Sequence, residues 1–309
     1  AHNYETNHKR LPCGMYNTYA TQTGFNGQEG PYVGVLTALL TYIELDNVRT
    51  GIVDPSSPTS ATLPINAVYN SLLPWWTSSA NIAPDIAQLK IGLLKCPSDS
   101  IDETVNTVHL ATIASTNGAT FPAVDAGSPY YMYSFAGVTG SASFGRTNYF
   151  GVAGMTYEGN PYRTFDGILM NRTQLTLGQI TVKDGTSNTL LFGESVGTID
   201  ANKQRTDVFC WMGAGSLSTY RGLSDRARAD VQGGPTRERF SSVHAAGVQF
   251  AMADGSVRTL RPEGTTNGVF GSGDPTLPMT QVAPEVWKVL QALAGWKDGT
   301  RPNAEVLAP

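Results

Sequence analysis

The clearest alternation of apolar and polar positions lies in Gly247–Leu260, GVQFAMADGSVRTL. Asp254-Gly255 is the favoured pair for a two-residue hairpin turn, so the pattern predicts a β-hairpin pairing Met252 with Val257 and Phe250 with Thr259. Val248, Phe250, Met252, Val257 and Thr259 then share a core face, with Ala251 and Arg258 opposite. Helical spacing appears over 33–48, where Val35 or Leu36, Leu39, Leu40 and Ile43 form one apolar face. It recurs in PEVWKVLQALAG, where Pro284 opens a helix, Val286, Val289, Leu290 and Leu293 follow, and Gly295 closes it. Residues 1–10 read as the polar end of a helix that stops before Leu11-Pro12, and 65–76 as a short helix ending at Pro74. Residues 89–95 fit strand or helix. Residues 189–194 read as a strand after the turn Lys183-Asp184-Gly185. Between them, 100–165 shows short strands with Gly-rich turns, 14–31 and 261–283 read as loops, and the charged stretch 216–238 reads as an exposed insertion. No repeat of 20–50 residues and no linker divides the chain, which is read as one domain over 1–309.

Composition narrows the class. Among 309 residues, 40% are hydrophobic and only 15% charged, with 33 glycines and 18 prolines; an average domain is about 25% charged. Low charge with many turn formers points to strands and long loops, and hence to an α+β chain rather than a helical bundle. The net charge of -4 argues against nucleic acid. Hydrophobicity at this level argues against disorder, and no apolar run is long enough to span a membrane. The opening AHNYETNHKR lacks the charged-then-apolar order of a signal peptide. Cys13, Cys96 and Cys210 form no metal-type cluster by spacing, and their pairing is left open.

No Walker loop, HExxH or GxGxxG after a strand is present, and Gly193-Glu194-Ser195, which opens a GxSxG spacing ending at Gly197, does not read as a nucleophile elbow. His2 and His8 lie six apart, off a common helix face. If 244–253 is extended, His244 and Asp254 stand about 30 Å apart. Asp254 then reads as a turn residue and His244 as a packed side chain at a strand edge. Asp184-Gly-Thr-Ser-Asn-Thr189 is the densest polar cluster. Asp184, Ser187 and Asn188 carry hard oxygens that suit calcium, and the same residues build a hydrogen-bonded turn. Trp75-Trp76 beside Tyr69, and Tyr130, Tyr131 and Tyr133, offer either sugar-stacking surfaces or core packing. Asn171-Arg-Thr173 is a lone glycosylation sequon.

Several segments together resemble one family. His2-Asn3-Tyr4 followed by Leu11-Pro12 resembles its LHNYH…FP stretch, Leu39-Leu40-Thr41-Tyr42-Ile43-Glu44 its LLPYIEQ, and Cys96-Pro97-Ser98-Asp99 its CPSD. Asn148-Tyr149 with Gly154, and Ile180-Thr181 with Asp184–Thr189 and Gly193-Glu194, resemble its NYxxxxG and ITDGTSNT…GE. His244, nine residues, then Asp254-Gly255 matches its H-x9-DG signature. Lys183 inside the ITDG stretch and Ala245-Ala246 in place of Pro-Gly are departures. The chain resembles the DUF1559 family of planctomycete prepilin-like proteins, also catalogued as a solute-binding family. The resemblance implies the globular head of a type IV pilin or pseudopilin, an antiparallel sheet packed against a helix, behind a prepilin leader and apolar helix. It further implies a non-catalytic, extracellular, surface or periplasmic subunit. Its partners would be its own copies or other pilin-like subunits, and its contact with membrane would run only through that helix. The alternative it implies is a carbohydrate-binding protein. Cys96, Asp184, Asn188, His244, Asp254 and Gly255 are its expected structural signature, with no cofactor beyond the calcium weighed above.

Overall fold

The structure is a computed structural model, and it describes residues 1–16, 31–52, 75–76, 84–102, 107–114, 130–135, 143–155, 164–199, 205–225, 238–265 and 285–309. In chain order the elements begin with α1 (His2–His8), β1 (Met15–Tyr16), β2 (Val33–Gly34), α2 (Val35–Leu39) and α3 (Asp46–Ile52). Next come β3 (Thr107–Ala114), β4 (Tyr130–Phe135), β5 (Arg146–Thr147), β6 (Tyr149–Val152), α4 (Leu177–Val182), β7 (Leu190–Glu194) and β8 (Thr198–Ile199). Then follow β9 (Arg205–Cys210), β10 (Ser216–Leu217), β11 (Leu223–Asp225), β12 (Phe240–Ser242), β13 (Val248–Met252), β14 (Val257–Leu260) and α5 (Glu285–Ala294).

The class is α+β, with the strands gathered mainly into two sheets. One runs β10-β6-β7-β13-β14; the other runs β4-β3-β9-β5 with β8 also paired to β9. The sheets are mixed rather than purely antiparallel: β10 lies parallel to β6, β3 to β9 and β11 to β12. Phe150 on β6 meets Phe209 on β9 edge to face, ring centroids 4.7 Å apart, so the two sheets share a core. Buried side chains from Tyr4 to Leu307 join that core. Helix α5 covers it with Trp287, Leu290 and Leu293, and Gln291 is buried there with both amide ends satisfied by Thr219. Val286 and Val289 are only half-buried, so the helix is rolled slightly from the face its spacing suggests.

The hairpin forms one register step away from the expected one. Ala251 pairs with Val257, Phe250 with Arg258 and Val248 with Leu260. Gly255 N–H donates to the Met252 carbonyl and Met252 N–H to the Ser256 carbonyl, so the connection is three residues, Ala253-Asp254-Gly255. Gly255 takes φ +89°, the left-handed position such a loop requires. A one-residue slip reverses faces: Val248, Phe250 and Met252 stay buried, but Val257 is exposed and Leu260 takes the core side.

The predicted helix over 33–48 is three pieces. Val33–Gly34 is strand, α2 passes into a 3-10 turn at Leu40–Ile43, and Glu44 at φ +63° ends it before α3. Residues 1–10 do end a helix, at Lys9 in the left-handed conformation. Residues 216–225 are not an exposed insertion: Leu217, Ser218, Thr219 and Leu223 are buried, and the segment carries β10 and β11. Helix α4 was not anticipated, although Thr176 and Gln179 form a reciprocal capping box at its start. Within the ambiguous stretch 89–95, Gly92–Leu94 forms a 3-10 turn. No described helix is long and apolar enough to cross a membrane. The predicted helix over 65–76 lies outside the described residues apart from 75–76.

Candidate functional site

The family-like motifs meet around Asn148, the residue between β5 and β6. It is fully buried, and its side chain closes three hydrogen bonds: Oδ1 accepts from Cys96 N–H at 2.8 Å, and Nδ2 donates to Asp99 Oδ2 at 2.7 Å and to the Ser195 carbonyl at 3.1 Å. One amide thereby joins the Cys96–Asp99 turn to the end of β7. Asp99 forms a buried ion pair with Arg205 at the start of β9, and Arg205 also donates to the Val196 carbonyl. A buried carboxylate is tolerated on these terms, with a guanidinium and an amide satisfying it.

Beside this hub three further side chains converge. Glu194 ends β7 opposite Tyr149 on β6. Gly193 before it is closely overlaid by aromatic rings: a Cβ there would lie 2.4 Å from Phe250 and 2.7 Å from Phe240. One Glu194 oxygen accepts from Gln249 N–H at 2.8 Å, and the Ser242 hydroxyl also bonds the carboxylate. Ser242 Oγ accepts from His244 N–H at 3.1 Å, which fixes the loop after β12. His244 Nε2 then lies 3.5 Å from Cys96 Sγ and 3.8 Å from Glu194 Oε2. The donor atoms of Cys96, Glu194 and His244 all fall within 4.8 Å of one another.

Burial pushes the Glu194 carboxyl above its usual range, against its hydrogen bonds and the His244 charge. Burial also raises the Cys96 thiol, with Glu194 and Asp99 adding to it. A relay of thiol, imidazole and carboxylate needs the acid on the ring nitrogen opposite the thiol; here both approach Nε2, so the three do not compose one. Cys96 also stands in the wall of an open cavity of 520 Å³, together with Lys95, Asp99, Asp102 and Tyr149. Burial, with Cys96 and Glu194 nearby, raises the Tyr149 phenol.

The remaining sequence candidates go elsewhere. Asp184 is buried, and its two carboxylate oxygens accept from the N–H groups of Asp298 and Gly299, at 3.1 and 2.8 Å. Asn188 turns its amide nitrogen to the Asp184 carbonyl at 3.3 Å, and Ser187 is exposed. Residues 184–189 are therefore a turn that clasps the C-terminal segment. Asp254 is exposed at the hairpin tip, where Oδ1 accepts from Ser256 N–H and Oγ–H; His244 and Asp254 flank opposite ends of β13. His2 donates to the Ala253 carbonyl at 2.7 Å, whereas His8 stacks on Tyr4. Trp75 and Trp76 are buried, 0% and 8% exposed, and so are core rather than a stacking platform. Tyr69 and the side chains of Tyr130, Tyr131 and Tyr133 lie outside the described residues. Cys13, Cys96 and Cys210 are free thiols. Asn171 of the sequon is buried.

Sequence reasoning placed Cys96 and His244 among structural signatures and gave Glu194 no role. Their types are those of metal ligands, but no local spacing brings together residues carried on three separate elements.

A model of the family described as protein of unknown function (DUF1559), which also carries the label SBP_bac_10, matches residues 1–263. No curated protein and no solved structure matches the chain.

Proposed function

The chain belongs to the DUF1559 family, and from that premise we propose that it is the non-catalytic head of a subunit in a type IV pilus-like or type II secretion pseudopilin filament. The observation that carries this reading is the way α1 joins the body. Its seven residues are polar, and only Tyr4 is buried. Tyr4 packs edge to face on Tyr42 at 5.5 Å and its hydroxyl meets that of Tyr16, while His2 reaches the hairpin tip. A helix held to a sheet-rich head by one aromatic anchor, with its other face in water, suits a stalk that presents the head outward. The signature residues Asp184 and Asp254 support the same reading, directing their polar groups at backbone and holding turns, as does Asn148 of the stretch that resembles NYxxxxG. On this reading the protein is extracellular, at the cell surface or periplasmic, and its partners are further copies or related subunits.

The test is the intact mass of the protein isolated from its own cells. The filament reading expects a mass several kilodaltons above 33.0 kDa, with an apolar N-terminal segment. A mass equal to that of residues 1–309 overturns helix-core assembly. The carbohydrate-binding alternative is favoured by one feature, the 520 Å³ cavity with Tyr149 in its wall. It expects saturable binding of a soluble oligosaccharide that Tyr149→Ala abolishes.

A further inference from the structure

We propose that Cys96, Glu194 and His244 bind a zinc ion, a property independent of the filament reading. The donor set comes first. A thiolate and an imidazole beside one carboxylate are borderline-soft ligands that suit zinc, whereas calcium asks for six to eight oxygens. The geometry comes second. For zinc bonds of ordinary length, tetrahedral ligands stand about 3.5 Å apart for sulfur and nitrogen and about 3.3 Å apart for nitrogen and oxygen. The corresponding separations here are 3.5 Å for Cys96 Sγ to His244 Nε2 and 3.8 Å for His244 Nε2 to Glu194 Oε2. Both neighbours crowd the same ring nitrogen, an arrangement that disfavours a proton relay but is what three ligands of one ion produce.

The surroundings are built for it. Each ligand is held from behind: Cys96 through its backbone N–H by Asn148, Glu194 by Gln249 N–H and Ser242, and His244 through its backbone N–H by Ser242. Such support behind a metal's ligands fixes their orientation. Charge points the same way. Arg205 already neutralises Asp99, which leaves the buried Glu194 carboxyl without a guanidinium of its own beside the Cys96 sulfur and the His244 ring. A divalent cation would supply the counter-charge. The three ligands leave a fourth position for water. Zinc here would tie the CPSD turn, the end of β7 and the loop that opens H-x9-DG into one knot.

The experiment uses the whole chain, stripped with chelator under reductant. Zinc titrated alone is expected to bind at one equivalent by native mass spectrometry and to raise the melting temperature. Cobalt in its place is expected to show a thiolate-to-metal charge-transfer band. Cys96→Ser should abolish that band, and His244→Gln should weaken zinc binding by at least about 100-fold. Ser242→Ala, which leaves all three ligands in place, should weaken it by about 10- to 100-fold. Absence of stoichiometric binding overturns the proposal. So does a charge-transfer band that survives Cys96→Ser and vanishes in Cys13→Ser. Should the Cys96 variant fail to fold, zinc-edge absorption on the unaltered protein decides: a shell with one sulfur supports the site, and one with no sulfur overturns it.

Discussion

Asn148 shows how much one side chain can hold. Its amide is fully buried and its side chain satisfies a backbone N–H, a backbone carbonyl and the Asp99 carboxylate. Removing it strands partners that have no water to turn to, which is the costly direction of hydrogen-bond loss. Asn148→Ala is expected to destabilise the protein by about 2–4 kcal/mol in urea denaturation. Asn148→Asp should be worse still, because it sets a second carboxylate against Asp99; an aspartate variant as stable as the native protein would refute the bonding assignment. Asp298 gives a pH signature. Burial and the neighbouring Asp184 carboxyl raise its carboxyl above the ordinary 3.8. A carboxyl raised in the folded state contributes stability below its unfolded value that is lost as pH rises through the folded one. Asp298→Asn, which keeps an oxygen to accept from Thr300 N–H, should therefore melt about 1–3 °C higher than the native protein at pH 7. It should lose that advantage at pH 3. An advantage present at both pH values would mean that the charge is not the cause. At this scale the sequence was informative about roles but silent about company. Asp254 as a turn residue and His244 as a packed side chain beside a strand are legible from local chemistry. That Glu194 lies against His244 depends on the pairing of β7 with β13, which no local pattern encodes.

Elements were legible where one face meets the core over several residues, and least legible where a turn sets the register. Strand β7, strand β13 and helix α5 form where the sequence puts them; β13 alternates buried and less buried positions, whereas β7 is buried almost throughout and α5 is rolled from its expected face. The hairpin slipped by one residue because Asp-Gly serves two turn geometries. Here Ala253 joins the loop, and Gly255 rather than Asp254 carries the special conformation. The two readings differ in what they require of position 254: a two-residue Asp-Gly turn puts both central residues at positive φ, whereas here only Gly255 is so placed. At φ +89° an alanine costs about 1–2 kcal/mol, so Gly255→Ala should destabilise more than Asp254→Ala. The latter removes only exposed hydrogen bonds to Ser256, with a loss under about 1 kcal/mol. Chemical denaturation of the two variants checks the order, and equal losses would argue for the two-residue turn. Helix 33–48 was over-read for a related reason: apolar spacing continues through Leu40 and Ile43, while Glu44 turns left-handed and redirects the chain into α3. Helix α4 was under-read because its signal is polar. Only Ile180 of its six residues is buried, and the capping box marks where it begins. Thr176→Ala should cost about 1 kcal/mol, measurable in the same assay.

At the scale of the whole molecule, two mixed sheets close on each other, and the three cysteines report on different parts of that closure. All are free and buried, so total exposure does not separate them. Their surroundings do. Cys210 ends β9 within the shared core, and burial pushes its thiol to about 12. Cys13 donates to the Thr173 carbonyl at 2.8 Å, and burial pushes its thiol to about 11. Cys96 stands in the wall of an open cavity. A thiol alkylates only as thiolate and only when the reagent reaches it. Cys13 and Cys210 must therefore wait for the fold to open, whereas Cys96 can be reached through the cavity with at most a local fluctuation. In metal-free protein, a timed pulse of iodoacetamide read by peptide mass spectrometry should modify Cys96 first. Cys13 and Cys210 should follow together, accelerating with added urea as the global equilibrium shifts. Equal rates at all three would mean that the Cys96 turn opens only with the whole molecule. Early labelling of Cys13 alone would mean that the segment joining α1 to the body detaches by itself, and the anchoring of that helix by Tyr4 would then be too weak to carry a head on a stalk.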